Sequence, residues 1–477
     1  MNLSYQPSSF TSPTGDPFAD VGGYVIETLQ EEPNLQDKDV LGLIEYAANI
    51  YISLWGANLY AFFLNSKITQ PAFNSQRKLQ ETMDYYRGLV NETLPHIEGY
   101  CRISGQKGKL FPAGRDNHIL SGSSTFVNFH HGFESGLYLS KEVIIRFFFV
   151  PLGVVQLGDK IGLLSSNNEI VAAYFVKQRL LGSDGHLAQI GRNLAEGVAK
   201  SASGIPSNAL FGFADSCLKN LKPAIFSDLD GNVVSVKDTS LSLYHFTNFG
   251  AKPEVVLYQL SATVFRFYAE CHTPNCADHW RRFVSSHYKN AKYRDAKYDP
   301  QSDTWASAKE EVGPETYSTW RNRILDFLLN GWSLIAYFKA WISRHEFPFA
   351  IVENYTLTIK NMDKRTLQKI KDVAGFIVGR DEDSIKKAIL RLNRAKYVQE
   401  VRQYLLRLID DNYKLNPTTP LIRLDDVEYL FPETVSWREI RDLVLIAVYE
   451  KLHDNNLKIE TEFDDQLVET IDEEPQL

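Results

Sequence analysis

Cysteine and methionine are the scarce residues of this 477-residue chain, four and three respectively. Cys101, Cys217, Cys271 and Cys276 form no CxxC pair and are too few to staple so long a chain. That excludes a disulfide framework and leads to the expectation of a reducing, cytoplasmic setting. Charge-free runs are also rare. Residues 46–66 form one, but Asn49, Ser53, Asn58, Asn65 and Ser66 interrupt it, so a buried helix is expected there rather than a membrane span. The first 23 residues lack a basic stretch followed by an apolar core, and no secretion signal is expected. HExxH, GxSxG and P-loop patterns are missing, as is any internal repeat. Positive charge is not in excess either: 51 Lys and Arg face 59 Asp and Glu, a net charge of −8 that rules out a uniformly basic nucleic-acid coat.

What is present is the material of a folded protein. The chain is 44% hydrophobic, 12% aromatic and 23% charged, enough for two to four packed units and unlike a disordered or fibrous chain. Its charge is unevenly spread. From Asp454 onward there are nine acids and one base, so this tail carries −8 and the remainder sums to zero. Within that remainder, Lys360 to Arg407 holds thirteen bases and six acids, a local +7. A basic stripe beside an acidic tail suits a polyanion-binding surface and a solvated tail, or else a wet helix face.

The periodicities predict an α+β chain: a mixed N-terminal and middle region with short antiparallel strands, then a C-terminal helical bundle. The expected divisions are an N-terminal helical segment (1–98), a mixed α/β region (99–279), a basic-aromatic and helical linker (280–361), a bundle (362–453) and the acidic tail (454–477). Helices are expected from Asp16-Pro17 to Leu29, over 38–66 and over 74–94, with a long loop or a stripped-down small module from 99 to 136. Residues 143–157 read as two buried strands or a strand and turn, 160–165 as a strand, 168–181 as a helix, 224–236 as a hairpin around an Asp-Gly turn, and 241–249 with 254–260 as a strand pair. From Trp280 onward β signals fade. A long helix kinked at Gly331 is expected over 316–343, then helices over 364–379, 381–411 and 436–453. Asp383-Ser384 reads as a cap for the third of these four, and Ser436-Trp-Arg-Glu439 has the spacing of a capping box.

Three patterns bear on chemistry. Asp228-Leu-Asp230-Gly resembles the paired carboxylates of Mg-dependent haloacid-dehalogenase-type phosphatases, in which the first Asp attacks phosphorus and the second moves a proton. Ser227 interrupts the strand that this site needs, and an ordinary Asp-Gly hairpin is the competing reading. His130-His131, His245 and the cluster Cys271, His272, Cys276 and His279 supply potential metal donors, but at spacings tighter than a zinc finger uses, so incidental loop residues are expected. The third pattern is basic-aromatic interleaving. Arg281, Arg282, Lys289, Lys292, Arg294 and Lys297 alternate with Trp280, Phe283, Tyr288, Tyr293 and Tyr298, a combination that neutralises phosphates and stacks on bases. Lys386, Lys387, Arg391, Arg394, Lys396, Arg402 and Arg407 repeat the theme on a helix whose Ile389, Leu390, Leu392 and Val398 turn inward.

Four segments together resemble one family: Asp16-Pro-Phe-Ala-Asp-Val-Gly-Gly23, Phe111-Pro-Ala-Gly-Arg115, Leu243-Tyr-His-Phe-Thr-Asn248 and Ser436-Trp-Arg-Glu-Ile-Arg-Asp-Leu-Val-Leu-Ile446. The chain from about 16 to 453 looks like the large subunit of a type I-B CRISPR effector (Cascade) complex. Members of that family commonly carry two CxxC pairs in a zinc knuckle. The corresponding positions here are Cys101 and Ser104, then Ser140 and Val143, so no metal and no cofactor are expected.

The resemblance implies a non-catalytic subunit that contacts the crRNA 5′ handle, reads a protospacer-adjacent motif in duplex DNA and stabilises the R-loop, while guide–target pairing reads the sequence. Its implied partners are crRNA, target double-stranded DNA, the backbone, handle-binding and small subunits of the complex, and a nuclease–helicase or a transposition apparatus. Arg115, Asn117 and His118, in a Gly-flanked loop, are candidates for the groove or handle. Arg281, Arg282, Lys289, Lys292, Arg294 and Lys297 are candidates for phosphates, and Lys386, Lys387, Arg391 and Arg394 for the R-loop. Met362, just before the bundle, would permit internal initiation of a free small subunit spanning 362–477. A scaffold whose basic face meets an acidic partner, or its own tail, is the blander reading.

Overall fold

Many helices among the described residues begin where a short polar side chain takes up a free backbone N–H. In the computed structural model, which describes residues 10, 12–55, 59–60, 62–64, 66–119, 137–181, 201–221, 239–247, 254–308, 310–431, 436–457 and 459, these caps fall where the sequence supplies Asp, Asn or Ser. The expected hairpin at 224–236, with Asp228 and Asp230, the pair His130-His131 and nearly all of the acidic tail lie outside the described residues. The chain is α+β and divides into two units, 1–262 and 263–477.

The first unit opens with α1 (Pro17–Gln30), capped by Asp16, whose side chain accepts from the Ala19 N–H. Next come α2 (Val40–Ile50) and α3 (Ser75–Val90). The expected helix over 38–66 in fact ends at Ile50 and passes into one wide π turn, Tyr51–Trp55, where the Tyr51 hydroxyl donates to the Phe148 carbonyl at 2.8 Å. Of the two readings for 99–136, the described part follows the small module: β1 (Ile97–Tyr100) and β2 (Lys107–Ala113) form a hairpin with Ile97 opposite Leu110, and β3 (Leu137–Leu139) joins β2.

The strands expected over 143–157 are mostly a helix, α4 (Lys141–Phe149), then a 3₁₀ turn and the short β4 (Val155–Leu157). Val143 to Phe149 are buried without a break, so the run has no polar face to reveal its period. β5 (Lys160–Ser166), α5 (Glu169–Leu180), α6 (Pro206–Asn220), β6 (Leu241–Thr247) and β7 (Glu254–Leu260) complete the unit. Strands β4 to β7 form one antiparallel sheet in that order, with Leu163 opposite Tyr244 and Tyr244 opposite Leu257.

Helix α1 lies between this sheet and α4. Phe18 meets the rings of Tyr244 and Phe246 edge-on at 5.6 and 5.2 Å. On the other side a Cβ at Gly22 would sit 2.0 Å from the Arg146 carbonyl oxygen, so only glycine permits this approach. Arg146 is buried; its Nη2 donates to the Ser12 carbonyl at 2.6 Å and its Nη1 lies 3.4 Å from Asp20 Oδ1. Asp20 also accepts from Thr14 and Gly15, so one ion pair fastens residues 12–15 over α1.

The second unit starts with α7 (Ala262–Cys271) and α8 (Ala277–Ser285). β structure does not fade after Trp280. β8 (Tyr288–Lys289), β9 (Lys297–Asp299), β10 (Thr304–Ala306), β11 (Glu311–Val312) and, beyond the one-turn α9 (Pro314–Tyr317), β12 (Arg321–Asn322) build a three-stranded sheet and a separate two-stranded ladder. Strands of two or three residues are too short to show alternation. The long helix expected over 316–343 is broken into α9, α10 (Arg323–Asn330) and α11 (Ile335–Ile342), because Gly331 takes a left-handed conformation (φ 72°) that terminates α10 rather than kinking it.

After α12 (Phe349–Asn354) the chain is helical: α13 (Lys364–Val378), α14 (Glu382–Arg394), α15 (Val398–Leu415), α16 (Leu424–Leu430) and α17 (Trp437–Asp454). The single helix expected over 381–411 is two, separated at 395–397, where the Glu400 carboxylate accepts from the Lys396 and Tyr397 N–H groups. The cap of α14 is Asp381 rather than Asp383-Ser384; it receives both the N–H and the hydroxyl of Ser384. Ser436 caps α17 by accepting from Arg438, but the Glu439 side chain does not close a box; it takes the Ser333 hydroxyl at 2.6 Å and Lys360 at 2.9 Å. Helix α17 is the bundle's centre, buried from Ile440 to Tyr449 with the sole exception of the half-buried Arg441.

Candidate nucleic-acid interface

The loop candidates separate at once. Asn117 and His118 are buried. The Asn117 carboxamide accepts the Gly114 N–H at 2.8 Å and donates to Tyr85 Oη and the Pro112 carbonyl, while the His118 ring packs 4.5 Å from that of Phe147. They hold a turn together and present nothing to a groove. Arg115 is half-buried, its carbonyl accepting from the Leu64 N–H.

The positions that correspond to zinc ligands do come together in part. Cys101 is buried and its Sγ accepts from the N–H groups of Ser104 (3.5 Å) and Ser140 (3.4 Å). Burial pushes this thiol up, but hydrogen bonds from Ser104, Ser140 and Ile103 outweigh it and hold it below its ordinary range. Val143 faces the core. One thiol, two serines and a valine do not fit zinc, which needs four nitrogen, sulfur or carboxylate donors. Among the described residues no group of three or more His, Cys, Asp or Glu is placed to hold a metal ion. His245, Cys271 and Cys276 are buried, and His272 is tied to the Tyr268 carbonyl.

The first basic stretch is largely engaged with its own chain. Arg281 pairs with Asp278 at 2.8 Å and with Asp303, and Arg282 reaches the same Asp278 at 2.8 Å. The two arginines help hold the Asp278 carboxyl below its usual range. Asp303 also accepts from the hydroxyls of Tyr298 and Tyr317, phenols that burial pushes up and keeps protonated. Lys292 lies 3.8 Å from Glu310 and 5.0 Å from the Tyr293 ring. Lys289 is exposed on β8, across from Arg321. Only Arg294 and Lys297, of the six cations, are exposed with no ion pair or hydrogen bond to a described residue.

The aromatics of this stretch are spent on packing. Trp280 and Phe283 are buried, and Tyr293 stacks on Trp320 at 4.7 Å within a small cluster with Trp305 and Tyr317. The stacking platform that the sequence suggests is therefore a core.

The bundle is different. Ile385, Ala388, Ile389 and Leu392 bury one side of α14, and Lys387, Arg391 and Arg394, at spacings of four and three, line the other. Lys386 pairs with Glu382 at 3.1 Å, and the Arg391 guanidinium lies 5.7 Å from the Tyr404 ring. Lys387, Arg394, Lys396 and Arg407 are exposed and make no ion pair among the described residues. Arg391 and Arg394 also sit in the last turn of α14, where cations complement the helix dipole. Lys396 and Arg407, part of the basic stretch noted in the sequence, lie in the turn after α14 and on α15. Exposed Tyr397 and Tyr413 add aromatic faces to it.

The bundle is fixed to α11 by a buried ion pair, Lys339 to Asp442 at 3.0 Å, with Arg441 reaching the same carboxylate at 2.8 Å. Among the described residues, no helix is long and apolar enough to cross a membrane. Residues 339–476 match the family model of the DevT C-terminal domain. No curated protein matches the chain.

Proposed function

We propose that the chain is a non-catalytic large subunit of an RNA-guided type I-B Cascade complex, binding nucleic acid through the cationic side of its C-terminal bundle. The observation that carries this reading is the set of exposed cations that make no ion pair among the described residues, on α14, the turn after it and α15: Lys387, Arg394, Lys396 and Arg407. The DevT-type C-terminal domain supports a Cascade large-subunit family. Cations held by a rigid helix and not already neutralised release counterions when they meet phosphates, which gives affinity without sequence preference.

In this reading the bundle stabilises the displaced or paired strand of the R-loop. Arg294 and Lys297, with Arg115 at the edge of its loop, contact the crRNA handle or the duplex beside the protospacer-adjacent motif. The partners are then crRNA, double-stranded DNA and the other Cascade subunits, in the cytoplasm. Isolation of the tagged chain from its native cells, with sequencing of bound RNA, tests the proposal. Recovery of repeat-derived guide RNA with repeated backbone subunits is expected, and nucleic-acid-free protein under the same low-salt conditions contradicts it.

A further inference from the structure

The second unit holds a cavity of about 340 Å³, within the size range of small-ligand pockets. Helix α8 supplies His279 and Arg282 to its wall, the end of α11 and the turn after it supply Trp341, Arg344, His345 and Glu346, and Asp299 closes one side. The wall is braced by its own contacts. The His279 Nδ1 lies 3.2 Å from the Glu346 carbonyl, and the Trp341 and His345 rings meet at a tilt with centroids 4.0 Å apart.

Two groups lack a partner that their chemistry calls for. Arg282 uses its Nη2 on Asp278, but its buried Nε–H has no acceptor among the described residues. The His345 ring, half-buried, makes no hydrogen bond to a described residue. A buried guanidinium N–H without an acceptor is costly unless a ligand supplies one. Burial, then the charge of Arg344 and the nearness of His453, push the His345 imidazole down, which keeps it neutral, with one donor and one acceptor nitrogen.

We propose that this cavity binds one nucleoside monophosphate unit, free or as the phosphorylated end of a strand, with its phosphate between Arg282 and Arg344 and its base against the Trp341–His345 wall. Two guanidinium groups match a phosphate's oxygens. Asp299, held ionised by the Gln301 N–H and the Ser302 hydroxyl, and the Glu346 carboxylate accept from base amino groups or sugar hydroxyls. The same two carboxylates repel a second and third phosphate, so di- and triphosphates are disfavoured. The site is distinct from the bundle's cationic side and does not depend on it.

Calorimetric titration of the full chain with AMP, GMP, CMP, UMP and inorganic phosphate tests the proposal. One mononucleotide site per chain is expected, with Kd on the order of 0.1 mM, and at least tenfold weaker binding of inorganic phosphate. Arg344→Ala and His345→Ala should each weaken the mononucleotide at least tenfold, and Lys387→Ala should not. If Arg344→Ala lowers Tm, His345→Ala, which removes a ring with no hydrogen bond, decides alone. A 5′-phosphorylated eight-nucleotide RNA that competes with the mononucleotide, where its 5′-hydroxyl counterpart does not, assigns the site to a strand end. Mononucleotide binding without such competition assigns it to a free nucleotide. Failure of both mononucleotides and the 5′-phosphorylated RNA to bind, or unchanged affinity in both variants, overturns the proposal, whatever the bundle does with long strands.

Discussion

Two stretches of this chain look alike as text and differ as surfaces. Residues 281–297 and 386–407 each interleave arginine and lysine with aromatic side chains. In the first, Asp278 and Asp303 bind Arg281 and Arg282, Lys292 sits near Glu310, and the aromatic rings are buried against one another. In the second, four cations stand in solvent without ion pairs to the described residues. The lesson is that counting positive residues measures potential, while the placement of a few acids decides how much of it remains available. Asp278 lies three residues before Arg281 and four before Arg282, the spacing at which helix side chains meet. α14 has its acids, Glu382 and Asp383, confined to the first turn, out of reach of Arg391 and Arg394.

The contrast can be broken most severely at the bundle's anchor. Asp442→Asn leaves Lys339 buried without a charged partner and should cost about 3–5 kcal/mol, the loss typical of half a buried pair. Denaturant unfolding of the second unit measures it. The same contact bears on a small subunit started at Met362. Such a fragment lacks α11 and Lys339, and Met362 itself is buried. It should unfold at lower denaturant than a fragment that begins at 333, and equal midpoints would show that α11 adds nothing to the bundle's stability.

Next in size is the effect of charge on the bundle. Replacing Lys387, Arg394, Lys396 and Arg407 together by Gln should weaken single-stranded DNA binding at least tenfold at about 0.15 M salt, judged by fluorescence anisotropy. Arg281→Gln with Arg282→Gln should change affinity little and lower Tm instead. Asp278→Asn sharpens the comparison from the other side. Freed of that carboxylate, the two arginines should gain affinity for DNA by a fewfold, and no gain would place them outside any nucleic-acid path.

The smallest expected effect is a pH dependence in the first unit. Burial, against the opposing N–H of Ala19, pushes Asp16 up to about 6 from an ordinary 3.8. The folded state therefore holds a proton that the unfolded chain releases, and stability from this group is full below about pH 4 and lost as pH rises through 6. Asp16→Asn should flatten that part of the stability profile, a change on the order of 1–3 kcal/mol. A profile identical to that of the parent chain would remove Asp16 from this role.

How much of this was legible in the sequence depends on what each segment buries. α3, α5, α13 and α17 could be read because a cap precedes an amphipathic or terminated run: Asn74, Asn168, Asp363 and Ser436 mark their starts. α4 could not, since a helix buried on every side has no period. The break after α14 was written in Glu400, three residues past Tyr397, but a basic-apolar repeat running through it masked the signal. Asn117 and His118 looked like loop residues free to touch a ligand because nothing local shows that Tyr85 and Phe147, far away in sequence, close over them. The cavity at Trp341, Arg344 and His345 left no trace, because its walls come from three separated segments and only the fold joins them.

The central claim is that along the interior of a strand the bundle's unpaired cations, rather than Arg281 and Arg282, grip phosphates. The direct measurement is the slope of log Kobs against log salt for a single-stranded oligonucleotide, taken for the unaltered chain, the four-site bundle variant and the Arg281→Gln, Arg282→Gln variant. At roughly 0.7 per phosphate contact on a single strand, the bundle variant should lose close to three units of slope and the other variant less than one. Equal slopes for all three proteins, or the larger loss at 281–282, would contradict the account.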